Sequence, residues 1–168
     1  KRAQSVRRTR YEVVSEVQTR MQSEEADVGP GLSAEAQQIH LQLPPNLDPR
    51  IVDLARTVTA NGNSVLEKAS MLESYLKREN AYSLDLTWDP GDQPLSTFLF
   101  EVKSGHCEYF ASSMAIMLRV VGVPTRMVNG FLSGEFNTIG GSYIVRQSDA
   151  HSWVEAYVPG SGWMEFDP

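Results

Sequence analysis

Cysteine occurs once in this 168-residue chain, at Cys107, and histidine three times, at His40, His106 and His151. A single thiol excludes an intramolecular disulfide and leaves the redox compartment open, because a catalytic thiol works in either environment. So few soft ligands form no CxxC or HExxH spacing, so no metal is expected. No glycine-rich phosphate loop is present; Gly134 and Gly140-Gly141 lie in a β-hairpin context and need only be turns. No cofactor is expected. No apolar run of about 18 residues exists, so no transmembrane helix lies in this stretch, and no signal-peptide pattern is visible. There is no excess of positive charge: 15 Lys and Arg face 21 Asp and Glu, a net charge of -6, and no nucleic-acid partner is expected. Five of the first ten residues are basic (Lys1, Arg2, Arg7, Arg8, Arg10), which reads as a solvated leader or linker, with a membrane-surface segment as the alternative. The chain starts without Met and stops at Asp167-Pro168, and reads as a C-terminally truncated fragment of a longer protein.

What is present is an ordinary globular composition, 41% hydrophobic and 21% charged, long enough for one domain with a sizeable core. Residues 1–45 read as a linker or appended short strands. Residues 11–19 alternate loosely like a strand, 24–35 read as a loop, and 39–43 read as a second short strand stopped by Pro44-Pro45. The packed domain is expected over 46–168. Asp48-Pro49 is a helix start. Ile51, Leu54, Ala55 and Val58 have helical spacing, and a second helix is expected over 64–77. Residues 82–86 read as extended, 89–92 as a turn and 96–102 as a short helix. A third helix, over 107–121, is apolar almost all round and is expected to be the buried centre. Strands are expected over 126–132, 142–147, 151–157 and 163–166. Helices first and strands after argue α+β with an antiparallel sheet.

Three residues carry chemistry in this frame. Cys107 stands at the mouth of the third helix, where unpaired N–H groups and the positive dipole end favour a thiolate, and Gly105 removes bulk beside it. His151 starts a strand and can take the proton of Cys107 and return it to a leaving amine. His106 adjoins the cysteine in the chain and reads as lining the site, not as its base. Asp167 is the candidate acid that orients the imidazole, with Asp149 and Glu155 as rivals. In an antiparallel hairpin, opposed positions sum to a constant. Asp167 shares a face with His151 only if that sum is even, so the 151 and 163 strands must be joined by an odd number of residues or a bulge. A sum of 320 puts Asp167 opposite Trp153, with His151 its diagonal neighbour, and a sum of 318 puts Asp167 directly opposite His151.

The stretches Gly105-His106-Cys107-Glu108-Tyr109-Phe110-Ala111, Val121-Gly122-Val123-Pro124-Thr125-Arg126, Asp149-Ala150-His151-Ser152-Trp153 and Gly162-Trp163 through Asp167-Pro168 resemble, in order and spacing, the transglutaminase-like superfamily. That superfamily shares its core with papain-type cysteine proteases. The resemblance is to the bacterial branch whose domain is the extracytoplasmic part, periplasmic or cell-surface, of a membrane-anchored protein. It implies a Cys-His-Asp triad at Cys107, His151 and Asp167, with no metal. Glu108, Trp153 and Trp88 join His106 as expected site-lining residues, Trp88 being the nearest indole for an oxyanion and the backbone N–H of Cys107 the geometrically safer donor. The expected activity is acyl transfer on a protein or peptide substrate, with the cell envelope as its source, through a thioester on Cys107. Cross-linking and amide hydrolysis both remain open, as does a catalytically silent peptide-binding or scaffold module on the same fold. The oligomeric state is left open.

Overall fold

A computed structural model describes residues 31–85 and 87–168. The strand read over 11–19, and all but the end of the loop read over 24–35, lie outside the described residues. The first described helix corrects the reading of 39–43 as a strand: α1 spans Ala34–His40. Ser33 caps it by accepting from the Ala36 N–H at 3.1 Å, and the run Ala-Glu-Ala-Gln-Gln favours helix over strand. The following Pro44-Pro45 ends it, since a residue before proline avoids helical angles.

The next two helices form as their signals require. Helix α2 (Pro49–Val58) has Asp48 as N-cap, its carboxylate accepting from the Arg50 N–H at 2.8 Å. The Arg50 guanidinium closes on the same carboxylate at 2.7 Å, and these bonds hold the Asp48 carboxyl down at about 2. A depressed carboxyl stabilises the fold above its ordinary range, so this contribution is lost only as pH falls from there towards about 2. Helix α3 (Val65–Glu79) opens with a capping box between Ser64 and Glu67.

From α3 the chain runs through strand β1 (Ala81–Tyr82), a single turn α4 (Pro94–Ser96) and a wide π-helical turn over Thr97–Val102. Lys103 then takes a left-handed conformation, φ +52°, which turns the chain into β2 (Ser104–Gly105). Strands β1 and β2 pair in parallel, Ala81 with Ser104 and Tyr82 with Gly105. The sequence reading had one helix over 96–102 and no parallel pair. A two-residue bridge carries no periodicity to read.

Helix α5 (Cys107–Val120) is the centre, with eight buried residues: Phe110, Ala111 and the run from Ser113 to Leu118. Gly122, at φ +80°, lets the Val123 N–H reach the Leu118 carbonyl at 2.9 Å and stops the helix. Three strands follow in an antiparallel sheet, β3 (Thr125–Phe131), β6 (Ala150–Val158) and β7 (Gly162–Phe166), with β6 in the middle. Val154, Ala156 and Phe166 pack with α5 in one core. Between β3 and β6 a separate hairpin of β4 (Glu135–Asn137) and β5 (Ser142–Ile144) stands apart from this sheet. The strand read over 142–147 stops at Ile144. The Asp149 carboxylate claims the Arg146 N–H at 2.6 Å and winds Gln147–Asp149 into a 3-10 turn.

The segment around α1 is tied to this core. His40 meets the Trp163 ring edge-on at 4.8 Å, and the Gln42 carbonyl accepts from Arg119 on α5 at 3.0 Å. A chain beginning at Leu43 is expected to fold and still react with iodoacetamide at Cys107. Loss of the Arg119 bond should lower its stability in a urea titration by about 1.5–3 kcal/mol. Failure of the shortened chain to fold would make residues 34–42 part of the core itself.

Candidate active site

Cys107 is the first residue of α5, and the residues before it set its surroundings. His106 is the N-cap: its Nδ1 accepts from the Glu108 N–H at 3.3 Å. Gly105 is buried, and a Cβ there would stand 3.0 Å from the Tyr109 ring and 3.2 Å from Phe98. The missing side chain thus lets two aromatic rings close in beneath the cysteine.

His151 comes from the other side, on β6. Its partner across β3 is Gly130. On the β7 side Val154 pairs with Phe166 and Tyr157 with Trp163, a constant sum of 320, through the three-residue connection 159–161. That is the even register, and Asp167 follows directly on Phe166, the last residue of β7. His151 Nε2 and Asp167 Oδ1 lie 2.8 Å apart. The Asp167 N–H donates to Glu73 Oε1 of α3 at 3.3 Å, and Lys77 Nζ donates to the same oxygen at 3.0 Å. Helix α3 therefore holds the backbone of Asp167. The two rivals are engaged elsewhere: Asp149 closes the turn at Arg146, and Glu155 pairs with Arg126 at 2.5 Å.

Cys107 and His151 line one cleft of about 380 Å³, together with Tyr82, Leu84, His106, Glu108, Asn129, Gly130, Ser148, Ala150 and Ser152. Of the four residues expected to line the site, His106 and Glu108 do so. Trp153 is not in the wall but stacks against His151, ring centres 6.2 Å apart and 24° between planes. Trp88 does not reach the cleft. It packs on Tyr109 at 5.0 Å, and Tyr109 meets His106 at 5.0 Å, so one ring stands between it and the wall. Its Nε1 is buried and bonds no described residue.

Sequence reasoning missed three residues here. Tyr82 carries no motif and enters through the β1–β2 bridge. Glu73 is 94 positions from Asp167, beyond any local signal. Asn129 accepts from the buried Ser152 hydroxyl at 2.7 Å, a cross-strand pair legible only once the β3–β6 register is known. Among the described residues no group of three or more His, Cys, Asp or Glu is arranged to hold a metal ion.

A thiol at a helix start and a strand imidazole lining one cleft, on helices packed against an antiparallel sheet, are the arrangement of the papain-like class of α+β folds. The chain belongs to the Transglutaminase-like superfamily, which matches it over residues 52–168. It is 36% identical over 132 residues to a protein-glutamine gamma-glutamyltransferase of Pseudomonas aeruginosa, covering 77% of this chain and 19% of that protein. It is 38% identical over 137 residues to YebA of Bacillus subtilis, covering 77% of this chain and 18% of that protein. The chain thus spans less than a fifth of either relative's length. The crystal structure of the periplasmic domain of TgpA from Pseudomonas aeruginosa superposes with a TM-score of 0.76 at 34% identity, over 82% of this chain and 48% of that domain. No described helix is long and apolar enough to cross a membrane.

Gly130 is the point at which this geometry is easiest to disturb. A Cβ there would stand 2.6 Å from Cη2 of Trp153, and that indole backs His151. Gly130→Ala is expected to cost about 1–3 kcal/mol in a urea melt, because the ring must move. Pairing it with Trp153→Leu should recover part of the loss. An unchanged midpoint in Gly130→Ala would mean that the indole swings aside freely.

Proposed function

We propose that residues 46–168 form a cysteine-dependent acyltransferase unit that acts on side-chain amides of protein or peptide glutamine through a thioester on Cys107. The observation that carries this reading is the 2.8 Å contact between His151 Nε2 and Asp167 Oδ1, made at the edge of the cleft that also holds Cys107. An imidazole fixed in this way presents its other nitrogen in a known tautomer to a neighbouring nucleophile. The relationship to a protein-glutamine gamma-glutamyltransferase supports the amide as donor.

In the proposed mechanism Cys107 Sγ, its proton taken by His151, attacks the glutamine carboxamide carbon. The S–C bond forms and the carbonyl electron pair moves onto oxygen. The tetrahedral adduct collapses, the C–N bond breaks, and His151 returns the proton so that ammonia leaves. An amine then attacks the thioester, His151 accepts its proton, and the thiolate departs. Asp167 holds the ring and stabilises the imidazolium. Water in place of the amine gives hydrolysis on the same groups. A relative known as a periplasmic domain supports an extracytoplasmic setting for this unit; a membrane-held parent and cell-envelope substrates belong to the same proposal.

The test is a glutamine-peptide assay that reads both ammonia and conjugate to a labelled amine. Cys107→Ala is expected to abolish both products while keeping the same melting temperature. Asp167→Asn is expected to fold and to lose about 10²-fold or more in rate, because the imidazole is then held in the wrong tautomer. Full activity in Cys107→Ala would overturn the mechanism, and a wild-type chain that releases neither product would return the scaffold-module reading.

A further inference from the structure

The three-stranded sheet ends on β3, and the ladder with β6 occupies only half of that strand's backbone groups. The Leu132 N–H donates to the Asp149 carbonyl at 2.8 Å, and the Tyr157 N–H to the Pro124 carbonyl at 2.9 Å. Bonded pairs alternate along an antiparallel ladder, so the even-numbered positions of β3 bond to β6 and the odd ones face outward. Thr125 is the first outward residue, and its carbonyl accepts from Arg119 of α5 at 2.8 Å. The N–H and C=O groups of Met127, Asn129 and Phe131 meet no partner among the described residues. Sheet edges are ordinarily blunted by a charge, a proline or a covering segment. The β7 edge is blunted: it carries Glu165, and Glu73 of α3 takes the Asp167 N–H. Residues 127–131 of β3 hold no charge and no proline. Arg126 is turned away from the edge, laid over the Trp163 ring at 4.4 Å and paired with Glu155. Met127 and Phe131 stand 39% and 59% exposed.

This open edge leads to the cysteine. β3 runs alongside α5 towards the helix start: Thr125 lies at Arg119, Met127 Sδ is 3.5 Å from Ser112 Oγ, and Asn129 shares the cleft with Cys107 and His151. The side chains of Met127, Asn129 and Phe131 share one face, the face on which Val154 and Ser152, the β6 partners of Met127 and Asn129, are buried. We propose that β3 takes an extended segment of the protein substrate as a fourth strand and so lays its glutamine into the cleft; the proposal rests on the acyl-transfer reading above. Unpaired N–H and C=O groups at a two-residue spacing are satisfied together by another extended backbone. Asn129 is the outward residue of β3 that lies in the cleft wall, so the glutamine belongs beside it, pointing to the same side. The neighbours two places before and after the glutamine then meet Met127 and Phe131, which favour apolar side chains there. The backbone bonds themselves carry no side-chain preference, so such an edge takes many sequences but selects glutamines in extended segments over those in helices.

The experiment uses a fluorescein-labelled peptide with one glutamine and a valine two places to either side, and a series in which one backbone amide at a time is N-methylated. Binding is read by anisotropy on Cys107→Ala, and turnover on the wild type. Methylation of alternate amides is expected to weaken binding by about 3–10-fold each, with the amides between them neutral. Met127→Pro removes an outward N–H and leaves the ladder intact, so it is expected to fold. It should react with iodoacetamide at Cys107 at the wild-type rate and raise the KM of the peptide by about 3–10-fold, with kcat little changed. Losses without a period of two would overturn the proposal. So would an unaltered KM in folded Met127→Pro, the result expected if residues 11–19 or a second copy of the chain held the edge instead. Should Met127→Pro fail to fold, the methylated series decides alone. A chain that binds with this alternation but releases neither ammonia nor conjugate would sink the acyl-transfer reading and leave the edge standing. One that turns the peptide over without the alternation would sink the edge alone, and one that does neither would sink both.

Discussion

Burial of α5 is the constraint on which the remaining structure depends. Eight of its residues are enclosed by α2, α3 and the sheet, so the helix can neither slide nor turn without opening cavities at several places. Its first residue is therefore held by packing far from the cleft. Gly105 and the two rings beneath it, Phe98 and Tyr109, extend this grip to the residues just before Cys107. A reacting atom at the start of a helix is positioned as well as the helix is, and among the described helices this one has the most buried residues.

The second wall follows from pairing and not from packing depth. β6 is central, held on both sides, and its buried residues alternate strictly with the face that bears His151, Trp153, Glu155 and Tyr157. That outer face is not left to water. Arg126 lies over the Trp163 ring at 4.4 Å and pairs with Glu155, and Trp163 meets Tyr157 at 5.6 Å. This cross-strand cover fixes the β6–β7 register from the outside while the core fixes it from the inside. With that register set, the two ends of the His151–Asp167 contact have no freedom to miss each other.

Much of this was legible because it rests on local rules. Asp48-Pro49, the helical spacing of apolar residues over 64–77 and the apolar circumference of residues 107–121 each announce themselves within a few positions. The parity argument for Asp167 needed only the length of one turn. What escaped were features made by contacts between distant segments. The β1–β2 bridge joins Tyr82 to Gly105 with two residues a side, too short for a pattern. Glu73 reaches Asp167 from a helix whose sequence reads as a plain amphipathic face. The misread strand at 39–43 has a local cause: an Ile-His-Leu-Gln-Leu run alternates as a strand does, but the capped helix upstream absorbs its first residues. Trp88 failed because an indole close in sequence is not close in space once an aromatic residue of α5 stands in between.

The hairpin β4–β5 has a consequence of another kind. Its stem leaves and rejoins the main sheet at Phe131 and Ala150, which face each other across β3 and β6. Everything between them is a closed excursion whose two ends arrive side by side, beside the cleft. Doubling the length of such an excursion costs only about 0.6 kcal/mol of chain entropy, and the sheet beneath it is indifferent to what the excursion contains. The hairpin is thus a graft point. Over evolutionary time, or at an engineer's bench, this segment can be exchanged for another to re-dress the approach to the cysteine, while the helix and strands that hold the reacting groups keep their sequence.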